Sequence, residues 1–162
     1  MRRANFAPVA DGAPLYGACR PGHFNADLPE WAETLESANV ERVVCLLSEP
    51  EANRWGLPDG YAEYFDVHHV PILDRHLPDG DRLSTAVSLL DETIDAGGRA
   101  AIHCNAGLGR TGIVASAWLV RNRGYDAPTA IETVEAAARA PREAVNCDNA
   151  TEAELYELLE SV

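Results

Sequence analysis

The junction at residues 99–123 constrains this chain more than any other stretch. Arg99 to His103 follows a Gly97-Gly98 turn and reads as a short buried strand, while Ile113 to Arg123 repeats apolar residues at helical spacing. Between them, Cys104-Asn105-Ala106-Gly107-Leu108-Gly109-Arg110 must carry the chain from strand to helix. A strand feeding a helix through a Gly-rich turn belongs to a layered α/β architecture, with the turn at the carboxyl end of a central strand, where open α/β sheets bind ligands. Gly107 and Gly109 permit the tight path.

The residue types in that turn carry one kind of chemistry. Backbone N–H groups from Asn105, Ala106, Gly107, Leu108, Gly109 and Arg110 are placed to curl around one anion, and the first turn of the following helix adds its positive dipole end. A thiol inside such a loop ionises readily, since helix N-termini and cationic neighbours bring cysteine pKa values to roughly 3.5–7.5; Cys104 is therefore expected as a thiolate. Arg110 offers a planar donor fork that matches two phosphoryl oxygens. Thr111 brings a hydroxyl within reach of the sulfur, suited to easing its departure from a thiophosphate. The bland alternative is a buried cysteine that ends a core strand before an ordinary turn.

The string His103-Cys104-x5-Arg110-Thr111-Gly112 resembles the signature of the cysteine-based protein phosphatases, which include tyrosine-specific and dual-specificity branches. The resemblance implies metal-free hydrolysis through a cysteinyl-phosphate intermediate, with no cofactor, and makes His103 a structural residue that tunes Cys104 through hydrogen bonds. Looser similarity extends over most of the chain, including Gly17-Ala18-Cys19-Arg20-Pro21-Gly22 and Val43-Val44-Cys45-Leu46-Leu47.

Phosphoryl transfer also needs an acid to protonate the leaving oxygen. Val70-Pro71-Ile72-Leu73-Asp74-Arg75-His76-Leu77-Pro78-Asp79 supplies a candidate loop between an apolar run and a helical pattern. Asp74 and Asp79 compete for the role. Asp79 precedes Arg82, Leu83, Ala86, Leu89 and Leu90, a position suited to helix N-capping; similarity of residues 68–79 to the kinase-associated phosphatase type puts the acid at Asp74. Related enzymes often hold the hydrolytic water with a glutamine before the final helix, and this chain has no Gln. Asn146 and Asn149 are the substitutes to consider, beside their ordinary turn chemistry; Asp74 alone is a further option.

Composition speaks separately. The net charge is −13, and all 13 basic residues are arginine. Such an acidic, lysine-free chain resembles proteins of halophilic archaea and implies a need for salt; an acidic partner-binding face and GC-rich codon bias are the competing explanations. The charge disfavours nucleic-acid binding. Uncharged Asn105, Ala106 and Leu108 differ from the lysine-bearing loops of phosphoinositide phosphatases, so a phosphorylated protein or peptide is the expected partner, with no membrane. Phosphotyrosine, with some phosphoserine or phosphothreonine, is the expected substrate. A small-molecule phosphomonoesterase and a catalytically silent phosphate-binding module are the alternatives.

The remaining expectations are structural. Residues 1–162 read as a single catalytic domain, an α/β fold with a small, mostly parallel central sheet flanked by helices. Strands are expected at residues 14–19, 43–47, 62–70 and 100–103. Helices are expected around Trp31 and Leu35 and over residues 79–96, 113–123, 128–140 and 151–159. No run of eighteen apolar residues occurs, the start does not read as a signal peptide, and the cysteines do not read as a disulfide framework, which together imply a cytoplasmic protein. No His/Cys/Asp grouping has metal-ligand spacing. Cys45 reads as a small buried residue, with a resolving thiol for Cys104 as the alternative.

Overall fold

A computed structural model describes residues 2–162; Met1, part of the expected single domain, lies outside them. Five strands form one sheet in the order β1-β2-β5-β3-β4. They are β1 (Ala7–Pro8), β2 (Leu15–Ala18), β3 (Val40–Cys45), β4 (Asp66–His69) and β5 (Arg99–His103). All pairings are parallel except that of the short β1 with β2. Helices α1 (Leu28–Ser37), α2 (Glu49–Trp55), α3 (Gly80–Asp95), α4 (Gly109–Arg123), α5 (Ala127–Ala136), α6 (Glu143–Asn146) and α7 (Glu152–Glu160) complete the mixed α/β fold. Among the described residues no helix is long and apolar enough to cross a membrane.

Side-chain alternation along the strands builds two cores. In β3 and its extension, Val44 and Leu46 face one layer with Ile102, Leu83, Leu90, Ile113, Leu119 and Leu159. Val43, Cys45 and Leu47 face the other, with Trp31, Leu35, Tyr61 and Phe65. The same alternation puts Cys104 with the first layer, while His103 contacts Trp31 and Tyr61 in the second. β5 lies between β2 and β3, so the loop that follows it emerges at the middle of the sheet.

Several expected elements change; the strand expected at 43–47 runs from Val40 to Cys45, and the helix expected at 113–123 begins at Gly109. The strand expected at residues 62–70 is paired only over Asp66–His69; residues 62–65 form a turn after a 3-10 segment, because Phe65 packs edge-on to Trp31 instead of entering the sheet. The helix expected at 128–140 stops at Ala136, where Ala138 turns left-handed (φ 65°) and the chain swings Arg139 to the Gly107 carbonyl in the loop after β5. Helix α2, absent from the expected elements, begins with a capping box in which Ser48 and Glu51 exchange hydrogen bonds. Asp79 caps α3 by accepting from the Arg82 amide at 2.8 Å.

Candidate active site

The loop after β5 is held by its carbonyls. That of Asn105 accepts from the Arg20 amide, that of Ala106 from Asn5 Nδ2, that of Gly107 from Arg139 Nη1, and that of Leu108 from the Gly112 and Ala140 amides. With the carbonyls engaged outward, the amides of Asn105, Ala106, Gly107 and Leu108 have no acceptor among the described residues. This is a ready anion cradle at the start of α4. Gly107 is required in it: its φ is +79°, and a Cβ there would stand 2.5 Å from the Ala18 carbonyl oxygen.

Cys104 ends up almost fully buried at the cleft floor, and the Thr111 hydroxyl donates to its sulfur at 3.1 Å. His103 points the other way. Its Nδ1 lies 2.9 Å from the Cys104 carbonyl, which only accepts, so Nδ1 carries the proton and Nε2 receives the Tyr61 hydroxyl at 2.6 Å. Burial pulls the His103 pKa down to about 4, against the bond to the Cys104 carbonyl. The folded ring therefore binds fewer protons than an ordinary histidine between pH 6.5 and about 4, and stability must fall as pH falls through that window. Melting temperatures from pH 7 to 4 should show this slope in the wild type and a smaller one in His103→Asn.

Arg110 is only 2% exposed and is clamped from several sides. Its Nη1 and Nη2 meet the two Glu51 oxygens at 2.6 and 3.1 Å, Nη1 also donates to the Ile72 carbonyl at 3.0 Å, and Nη2 lies 3.2 Å from Asp74 Oδ1. Nε is buried with no partner among the described residues. Burial would raise the Glu51 carboxyl, but hydrogen bonds from Arg110 and Ser48 outweigh it and pull the pKa down to about 2. Glu51 was not among the expected site residues; the signal for it is the string Ser48-Glu49-Pro50-Glu51, a capping box directly after an apolar strand.

Asp74 rides on a loop that prolongs the sheet, through Val70 to the Cys45 carbonyl and Ile72 to the Leu46 carbonyl. His76 Nδ1 donates to the Asp74 carbonyl and Arg82 to that of Pro71, so the loop is held while the Asp74 side chain stays 44% exposed at the cleft. Asp79, the competing acid, is engaged as the α3 cap. The cleft of about 240 Å³ gathers Cys104, Arg110, Asp74, Arg75, His23 and Glu143 around the loop. Neither Asn146 nor Asn149 lines it. Asn149 instead donates to the Arg75 carbonyl at 2.9 Å, bracing the Asp74 loop, and Asn146 is exposed on α6. The water-holding role considered for them therefore finds no support in their placement.

Arg139 was also missed, because nothing local distinguishes an arginine in an Ala-rich stretch. Buried with no carboxylate beside it among the described residues, it donates to the carbonyls of Gly107, Asn5 and Gly17, and burial lowers its pKa to about 10. Arg139→Met should cost about 2–4 kcal/mol of folding stability by denaturant titration, since several buried acceptors lose their donor. Cys45 pairs with His103 in the sheet register and shares its face, across the sheet from Cys104. Burial pushes its thiol up to about 11, so the geometry favours the buried-residue reading over the resolving thiol.

Residues 16–124 match the family described as polymorphic toxin system, DSP-PTPase phosphatase. The tyrosine-protein phosphatase CDC14 of Saccharomyces cerevisiae is 28% identical over 123 residues, covering 75% of this chain and 21% of that protein. The chain spans about a fifth of the length of the curated relatives it matches. Among solved structures, a mutant form of Tk-PTP is 27% identical with a TM-score of 0.70, covering 93% of this chain and 91% of that one. The kinase associated phosphatase with its catalytic-site cysteine replaced by serine, at 21% identity and TM-score 0.69 over 90% of this chain and 83% of that one, shares the fold.

Proposed function

Because this chain belongs to the DSP-PTPase phosphatases, we propose that it is a metal-independent protein phosphatase, with residues 1–162 acting as one catalytic unit. The observation that carries this reading is the convergence in one cleft of the Cys104 sulfur, a hydroxyl donating to it, unpaired loop amides and the Arg110 guanidinium. In the first step the Cys104 thiolate attacks phosphorus and the leaving oxygen takes a proton from Asp74. Arg110 and the loop amides neutralise charge on the phosphoryl oxygens as the bond shifts. Glu51 keeps Arg110 in register, and Thr111 donates to the sulfur when it departs in the second step.

Phosphorylated protein side chains, phosphotyrosine first, fit the site best. Asn105, Ala106 and Leu108 line the cleft without charge to hold additional phosphates, which favours a phosphorylated side chain over an inositol headgroup. The larger groove of about 840 Å³ beyond Leu108 includes neither Cys104 nor Arg110. The four free cysteines suit a reducing cytoplasm. The test is release of phosphate, with a chelator and a reductant present, from phosphotyrosine and phosphoserine peptides against sugar phosphates at equal concentration. Preference for phosphotyrosine peptides supports the reading; preference for sugar phosphates sinks the protein-substrate part, and no turnover by folded protein favours a phosphate-binding module. The acidic composition supports a salt requirement, because about 1 M salt shortens the screening length to about 3 Å. Activity and melting temperature should rise together from dilute buffer to molar salt, and full activity in dilute buffer would refute it.

A further inference from the structure

The cleft contains a carboxylate that the mechanism above does not use. Glu143 begins α6, on the stretch before the final helix, and its side chain lies over the mouth of the phosphate loop. A Cβ built on Gly109 would stand 2.5 Å from Glu143 Oε2, which measures how closely the carboxylate rests on the loop. Its nearest cation, Arg75 Nε, is 3.8 Å away, too far for a close ion pair, and the side chain remains 30% exposed to cleft solvent. The chain has no glutamine, and neither candidate asparagine reaches the cleft.

We propose that Glu143 holds and deprotonates the water that hydrolyses the cysteinyl-phosphate, an inference that rests on the phosphatase reading. The water oxygen forms a bond to phosphorus while the S–P bond breaks, its electron pair going to Cys104 Sγ. The water proton passes to the Glu143 carboxylate, the Thr111 hydroxyl donates to the departing thiolate, and inorganic phosphate leaves. Division of labour between the two carboxyl groups follows from their partners. Asp74 Oδ1 sits against Arg110 Nη2, beside the phosphoryl position. Glu143 is raised above the usual carboxylate range first by burial and then by the charge of Asp74, with Arg75 and Arg110 opposing, which strengthens it as a base.

Rapid-mixing kinetics with p-nitrophenyl phosphate separate the two steps. Glu143→Ala should release one equivalent of p-nitrophenol at the wild-type rate and then turn over roughly 10²-fold more slowly, with phosphorylated enzyme accumulating. Glu143→Gln, which keeps the shape and holds water without taking its proton, should fall between. Asp74→Asn should instead slow the burst itself. Glu143→Ala with unchanged turnover, or with burst and turnover reduced by the same factor, overturns the proposal. A wild type that releases no p-nitrophenol overturns the phosphatase reading, and this inference with it.

Discussion

Cys104→Ser is expected to lower turnover of p-nitrophenyl phosphate by roughly 10⁴-fold or more, because a serine hydroxyl is a far weaker nucleophile than the cysteine sulfur it replaces. The substitution barely changes shape. The Thr111 hydroxyl that now donates to sulfur at 3.1 Å would meet an oxygen, and the loop carbonyls keep their outside donors. Phosphate should therefore still raise the melting temperature of Cys104→Ser. Loss of both turnover and phosphate protection would point to a collapsed loop, and turnover within about tenfold of wild type would exclude Cys104 as the nucleophile.

Arg110→Lys should cost roughly 10³-fold in kcat/KM, with most of the loss in kcat. The guanidinium does two jobs at once. Its terminal nitrogens hold Glu51 at 2.6 and 3.1 Å, while its Nε remains buried and unpartnered, free for a phosphoryl oxygen. A lysine ammonium is a single point of charge and cannot hold both Glu51 oxygens and donate to a phosphoryl oxygen together. Glu51 owes its depressed pKa to those bonds, so the variant should also unfold at a higher pH than wild type during acid titration. A kcat/KM within about threefold of wild type would contradict the clamp.

What the sequence made legible was the part written in consecutive residues. The strand, loop and helix of 99–123 follow in the expected order, with the helix starting at Gly109, four residues ahead of the expected 113, because a buried strand, a glycine-permitted turn and a 3.6-residue repeat are all local signals. Asp79 could be set aside as a cap for the same reason: an aspartate before a helical apolar series accepts from the amide three residues on. Glu51, Arg139 and Glu143 were not legible because each acts across a distance in sequence. Glu51 reaches Arg110 only after α2 folds over the end of β3, and Arg139 reaches Gly107 only because α5 stops early. The asparagines were the nearest amides to a missing glutamine, but one braces the Asp74 loop and the other faces solvent. The 62–70 run misled because Tyr64 and Phe65 satisfy a strand pattern and an aromatic cluster equally well.

The claim at the centre is that phosphate passes through Cys104 Sγ. Rapid acid quench of the enzyme with a phosphorus-labelled aryl phosphate, followed by digestion and mass spectrometry, reads this directly. The expected result is phosphorus label bound through sulfur to the peptide containing Cys104, absent in Cys104→Ser. Steady turnover with no label on that peptide, or with label on another side chain, would contradict it.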